Sequence, residues 1–145
     1  MPDLSALTQL EILYLHENAL VGLPALPSSL TYLNISENPL RDVVLGELPN
    51  LIELRMLDLA LDAFPDVALP ALRELHLRRN RFTAVPDAVR SFRELRLLDL
   101  RANRLTSVPD WIVELPRLEK LDLRWNEVYD PPPELVERGC VVLCE

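Results

Sequence analysis

Histidines, cysteines and paired carboxylates are where chemistry would be sought first in this chain, and none of them is spaced for it. His16 and His76 fall in the first and fourth of six repeated segments described below, too far apart along a repeat array to share a metal ion. Cys140 and Cys144 lie four residues apart in the strand-like stretch CVVLC, which separates them by ~13 Å and puts a disulfide out of reach. They read instead as small core or cap residues in a reducing compartment. The glycines, Gly22, Gly46 and Gly139, stand in isolation, so no phosphate-cradling loop is present. With 23 acidic residues, close carboxylate pairs are expected by chance. No Ser, His and Asp set falls in one pocket. The residues therefore predict a protein that is not an enzyme, with no catalytic group, no bound metal and no cofactor.

A second kind of chemistry is recognition, and it is signalled by LDLRWNEV, residues 121 to 128, where Arg124 and Trp125 precede Asn126. Arginine and tryptophan combine large contact area with directed donors and are the side chains most enriched at interface hot spots. Charge narrows the partner class. Residues 1–72 hold two basic side chains, Arg41 and Arg55, against ten acidic ones, and residues 73–145 hold thirteen of each, so the whole net charge of −8 sits in the N-terminal half. A pI near 4.8 argues against nucleic acid. The N-terminus MPDLSALTQLEILYL has neither a basic start nor a continuous apolar run, and nowhere do ~18 apolar residues follow one another. No membrane association is predicted, and the expected location is cytoplasmic.

The elements that would position Arg124 and Trp125 come from internal repetition. LEILYLHENAL, LTYLNISENPL, LIELRMLDLAL, LRELHLRRNRF, LRLLDLRANRL and LEKLDLRWNEV begin at residues 10, 30, 51, 72, 95 and 118, spaced 20, 21, 21, 23 and 23 residues apart. Each fits L-x-x-L-x-L-x-x-N-x-L with conservative swaps and one break, Leu59 at the asparagine position. Leu-x-Leu alternates with period two, the mark of a short strand buried on one face. The ~12 residues left between strands are too few for a full crossover helix with two loops, so the chain must coil as a solenoid with one parallel strand per turn. An inward asparagine in such a coil survives only by bonding backbone groups of neighbouring turns. Asn18, Asn38, Asn80, Asn103 and Asn126 are predicted to form that ladder, with one bond set lost at Leu59.

This pattern resembles the leucine-rich repeat family over nearly the whole chain, from about Leu4 to the end. The resemblance implies an α/β solenoid, an arc with strands on its concave face and a single domain over residues 1–145. Repeats of this length with Leu-Pro turns are similar to those of bacterial intracellular leucine-rich repeat proteins, secreted effectors included, and to the Ras-associated scaffold subclass. Return segments lengthen along the chain: Pro24 to Leu30 is six residues, Pro65 to Leu72 seven, Pro86 to Leu95 and Pro109 to Leu118 nine. Extended convex segments should therefore give way to helical turns, with Val89, Phe92, Ile112 and Leu115 packing beneath the sheet. Residues 1–9 form a partial repeat in which Leu4 and Leu7 match Val89 and Phe92. Residues 130–145 read as a C-terminal cap, a proline-led helix stopped by Gly139 and then a short strand.

On the concave face one column of side chains runs Tyr14, Asn34, Arg55, His76, Asp99, Asp122, and the next runs His16, Ser36, Leu57, Arg78, Arg101, Arg124. A third, at the strand edge, runs Glu17, Glu37, Asp58, Arg79, Ala102, Trp125. Tyr14, Tyr32, Arg55, His76, Arg78, Asp99, Arg101, Asp122, Arg124 and Trp125 are the candidate partner-binding residues. A solvated arginine ladder neutralised by Asp99 and Asp122 accounts for the arginines equally well, and Trp125 could pack on the loop near Tyr129. Exposed apolar positions at Ile12, Tyr14, Tyr32, Leu57 and Leu97 weigh towards a partner surface. The expected function is a non-catalytic scaffold that binds a partner protein through the concave sheet, as a monomer with an N-terminal end open to end-to-end association. The alternative is the substrate-recognition part of a larger enzyme or secreted effector of ligase or kinase type.

Overall fold

A computed structural model describes residues 2–145. Seven three-residue strands form one parallel sheet in chain order: β1 (Ile12–Tyr14), β2 (Tyr32–Asn34), β3 (Glu53–Arg55), β4 (Glu74–His76), β5 (Leu97–Asp99), β6 (Lys120–Asp122) and β7 (Val141–Leu143). Their register pairs Leu33 with Leu54, Leu54 with Leu75, Leu75 with Leu98 and Leu98 with Leu121. The central leucine of each of β2 to β6 is wholly buried. Each such burial contributes ~1.5–3 kcal/mol, so the repeated leucine is the main driving force of every turn. The sheet is the solenoid arc that the repeat spacing predicts.

After each strand the chain turns through a residue in the left-handed region: Glu17, Glu37, Asp58, Arg79, Ala102 and Trp125 have φ of 52–61°. For a residue with a Cβ this costs ~1–2 kcal/mol. An inter-turn hydrogen bond offsets it: the N–H groups of Glu37, Arg79 and Ala102 donate to the carbonyls of Leu57, Arg101 and Arg124 at 2.9–3.0 Å. The asparagine that follows completes the turn. Asn80 Nδ2 donates to the carbonyls of Met56 (2.8 Å) and Leu77 (2.9 Å), while its Oδ1 accepts from the amides of Leu59 and Leu61. Asn38, Asn103 and Asn126 bond in the same way to the turn before their own. Asn18 differs from the expected inward position. It is exposed, and its amide reaches only Leu15 and His16 of its own turn; among the described residues no strand precedes β1. At the third repeat Leu59 is buried and reaches no backbone group, and the turn contains a second left-handed residue, Ala60.

Convex segments change character along the array as their lengths predict. The early returns are extended, and five-residue 3-10 turns appear at Asp87–Ser91 and Asp110–Glu114, just after Pro86 and Pro109. Val89, Phe92, Ile112 and Leu115 lie wholly buried beneath the sheet. At the C-terminal end α1 (Pro133–Glu137) starts on prolines and is followed by Gly139 at φ +93°, after which β7 pairs with β6. Arg138 pins this cap by donating to the carbonyls of Val113 (2.7 Å) and Leu115 (2.6 Å). At the other end the amides of Leu7 and Leu10 bond Leu4 and Leu7, as those of Phe92 and Leu95 bond Val89 and Phe92.

Candidate functional site

The concave face divides into three zones, set by which column each strand residue occupies. At the N-terminal end, the pairing of Ile12 with Tyr32 and of Tyr14 with Asn34 gathers an aromatic cluster. The rings of Tyr14 and Tyr32 stand 4.9 Å apart, and His16 meets Tyr14 edge-on at 5.9 Å. Tyr14 is 60% exposed and Ile12 54%.

The middle zone is ionic and largely closed on itself. Arg101 folds back over Asp99 with a two-pronged contact, Nε to Oδ1 at 2.8 Å and Nη2 to Oδ2 at 2.6 Å, and Arg124 grips Asp122 likewise at 2.9 and 2.7 Å. Asp99 also accepts from the Arg101 amide. Burial works against the charge on Asp99, but the Arg101 guanidinium and the His76 imidazole outweigh it and hold the carboxyl far below the ordinary range. Both aspartates are buried, although the column pattern predicts them at a partner-facing surface. Their arginines are paired to them and remain partly exposed, at 25% and 33% of their side-chain surface. Arg101 and Arg124 are in that respect the neutralised ladder.

Further along the middle zone, His76 Nε2 faces Glu53 Oε1 at 3.5 Å and Glu74 Oε2 at 3.3 Å, and His76 Nδ1 faces Asp99 Oδ2 at 3.8 Å. Arg55 reaches Glu53 at 3.3 Å. Burial raises the Glu53 carboxyl, and its hydrogen bond to Glu74 adds to the rise; Glu74, on the receiving side of that bond, is lowered. Sequence columns built from the third strand residue and the turn residues after it hold His76 but neither glutamate of this cluster. The column of first strand residues, Ile12, Tyr32, Glu53, Glu74, Leu97 and Lys120, is the signal that exposes it, since it places two glutamates on adjacent strands.

The C-terminal zone centres on Trp125, which is 59% exposed. The guanidinium of Arg124 lies 5.7 Å from its ring centre and that of Arg78 5.4 Å. Arg78 belongs to the fourth repeat and Trp125 to the sixth. Between them the fifth repeat carries Ala102, small enough to leave room for the contact. Arg78 has no carboxylate within 4 Å among the described residues, and its buried Nε lacks a hydrogen-bond partner. Trp125 does not pack on Tyr129, which is 88% exposed. No helix is long and apolar enough to cross a membrane among the described residues.

This geometry, strand faces above an asparagine ladder, agrees with what comparison finds. Leucine-rich repeat family models match residues 70–128 and 29–52. The chain is 38% identical over 88 residues to mimecan from Coturnix japonica, a match covering 57% of this chain and 30% of that protein. Among solved structures, a leucine-rich repeat protein of Leptospira interrogans superposes with a TM-score of 0.65 at 26% identity, covering 94% of this chain and 37% of the other. The chain spans roughly a third of the length of these relatives. It belongs to the leucine-rich repeat family. Leucine-rich repeat domains generally mediate protein–protein interaction.

Proposed function

We propose that the chain binds a partner protein across its concave strand face, with contact concentrated at the two ends: the Tyr14–Tyr32 cluster and the Arg78–Trp125 pair. One observation carries the reading. Trp125 occupies a left-handed turn position where the other repeats place glutamate, aspartate, arginine or alanine, and it remains 59% exposed. The fold therefore has no need of an indole there, and beside Arg78 it presents the aromatic and cationic contact that interfaces favour. Arg78, without a carboxylate of its own, supplies the charge that the partner should match. The partner segment at this end is then acidic with an apolar or aromatic residue beside the acid. In the middle zone Asp99, Asp122 and Arg101 serve as internal counterions and contribute position rather than contact. The activity proposed is binding without turnover by a single copy, in a cytoplasmic setting that suits the free thiols of Cys140 and Cys144.

The test is affinity capture with paired variants. Arg78→Glu with Trp125→Ala should release the partner, whereas Val44→Ala, on a residue 74% exposed away from the strand face, should not. Arg101 is left unchanged because reversing its charge would orphan Asp99. Retention of the same protein by both variants would refute the proposal.

A further inference from the structure

Parallel register sets Glu53 of β3 beside Glu74 of β4, and His76 follows Glu74 by two residues on the same face. One ligating atom from each of the three lies within 4.8 Å of the others. The separations of 3.5 Å from His76 Nε2 to Glu53 Oε1 and 3.3 Å to Glu74 Oε2 are informative. A tetrahedral ion with bonds of about 2.0–2.1 Å to nitrogen and oxygen holds its ligand atoms about 3.3–3.4 Å apart. Two of the three edges of a tetrahedral ligand set are thus already spanned. Behind the imidazole, Nδ1 faces Asp99 Oδ2 at 3.8 Å, and Asp99 is locked in place by Arg101. At that distance no hydrogen bond is formed, and the carboxylate would have to close on Nδ1 to hold a proton there and turn the Nε2 lone pair towards a metal.

We propose that Glu53, Glu74 and His76 bind a divalent cation of the zinc class, with Asp99 as the positioning residue behind His76. One imidazole and two carboxylates suit zinc better than calcium or magnesium, which prefer all-oxygen sites. Three protein ligands leave a fourth position, and Glu74, whose side chain is 43% exposed, opens it to the concave side. Arg55 is the competitor. Its Nη2 lies 3.3 Å from the same Glu53 oxygen and must swing away when the ion enters. The site does not depend on the partner-binding proposal.

Calorimetric titration of the full chain with zinc chloride, repeated with cobalt(II) to read the visible absorption of a tetrahedral centre, tests the assignment. One ion per chain is expected, with affinity reduced at least ~10-fold by His76→Ala and by Glu74→Gln. Because Glu74 is partly exposed, its glutamine variant keeps the test valid if His76→Ala fails to fold. Arg55→Gln should tighten binding, and His16→Ala and Cys144→Ser should leave it unchanged. Failure of the wild-type chain to bind zinc, or binding unaltered by both His76→Ala and Glu74→Gln, overturns the proposal and leaves the cluster as an ion-pair network.

Discussion

Replacing Asn80 by alanine tests whether the asparagine ladder holds the turns together. The Asn80 side chain makes four hydrogen bonds at 2.8–3.2 Å and is buried. Its loss strips the Met56 carbonyl and the amides of Leu59 and Leu61 of their side-chain partner, while the Leu77 carbonyl keeps its bond from Asn103. A buried polar group left unsatisfied costs ~1–3 kcal/mol. Three such groups, partly relieved by relaxation and entering water, give a loss of about 3–5 kcal/mol. Asn18 is the internal control, because it is exposed and bonds only two carbonyls, one of which also receives Asn38. Asn18→Ala should cost no more than about 1 kcal/mol. Urea unfolding followed by circular dichroism measures both, and the slope against denaturant reports whether the array still unfolds as one unit. At this chain length Asn80→Ala should lower Tm by roughly 10 °C or more and Asn18→Ala by only a few degrees. Equal losses in the two variants would refute the ladder as the source of inter-turn stability.

Three further outcomes follow from the same contacts. Asp99 is held ionised well below the ordinary aspartate range, so its stabilising contribution is present above pH about 4 and is lost as pH falls below it. An acid titration of stability should therefore be shallower in Asp99→Asn than in the wild type. Arg138→Ala should remove ~1–3 kcal/mol through the lost carbonyl contacts and expose the β7 amides first, which hydrogen exchange resolves. Trp125→Ala should change folding stability by less than about 1 kcal/mol, because the residue is 59% exposed, yet weaken partner binding by at least ~30-fold, measurable by calorimetry once the partner is in hand.

The architecture was legible because its determinant is periodic. Leucine spacings of 20 to 23 residues are the strand registers themselves, and the lengthening of the returns after Pro86 and Pro109 tells where 3-10 turns close. The left-handed position before each asparagine was hidden, because the chain fills it with Glu17, Arg79 or Trp125 where glycine would have advertised it. Inter-turn hydrogen bonds from the amides of Glu17, Glu37, Asp58, Arg79 and Ala102, and not residue type, hold that conformation in the first five turns. The burial of Asp99 and Asp122 was equally hidden. Alternation places them outward, but an arginine two residues on folds back over each and seals it. The cluster of Glu53, Glu74 and His76 depends on cross-strand register at the first strand residue, a column whose other members, Ile12, Tyr32, Leu97 and Lys120, share no chemistry that would draw the eye. Arg78 and Trp125 meet across two repeats, a contact visible only once Ala102 is seen to leave the space between them.

Photo-crosslinking most directly tests whether the concave face is where a partner binds. A benzophenone amino acid placed in turn at Tyr14, Trp125 and Val44 of the full chain would be irradiated in native lysate, with adducts identified by mass spectrometry. Concave-face recognition predicts one protein joined to the Trp125 or Tyr14 position and absent from Val44, and its adduct lost when Arg78 is changed to glutamate. Adducts of the same protein at Val44 as at the concave positions would contradict it.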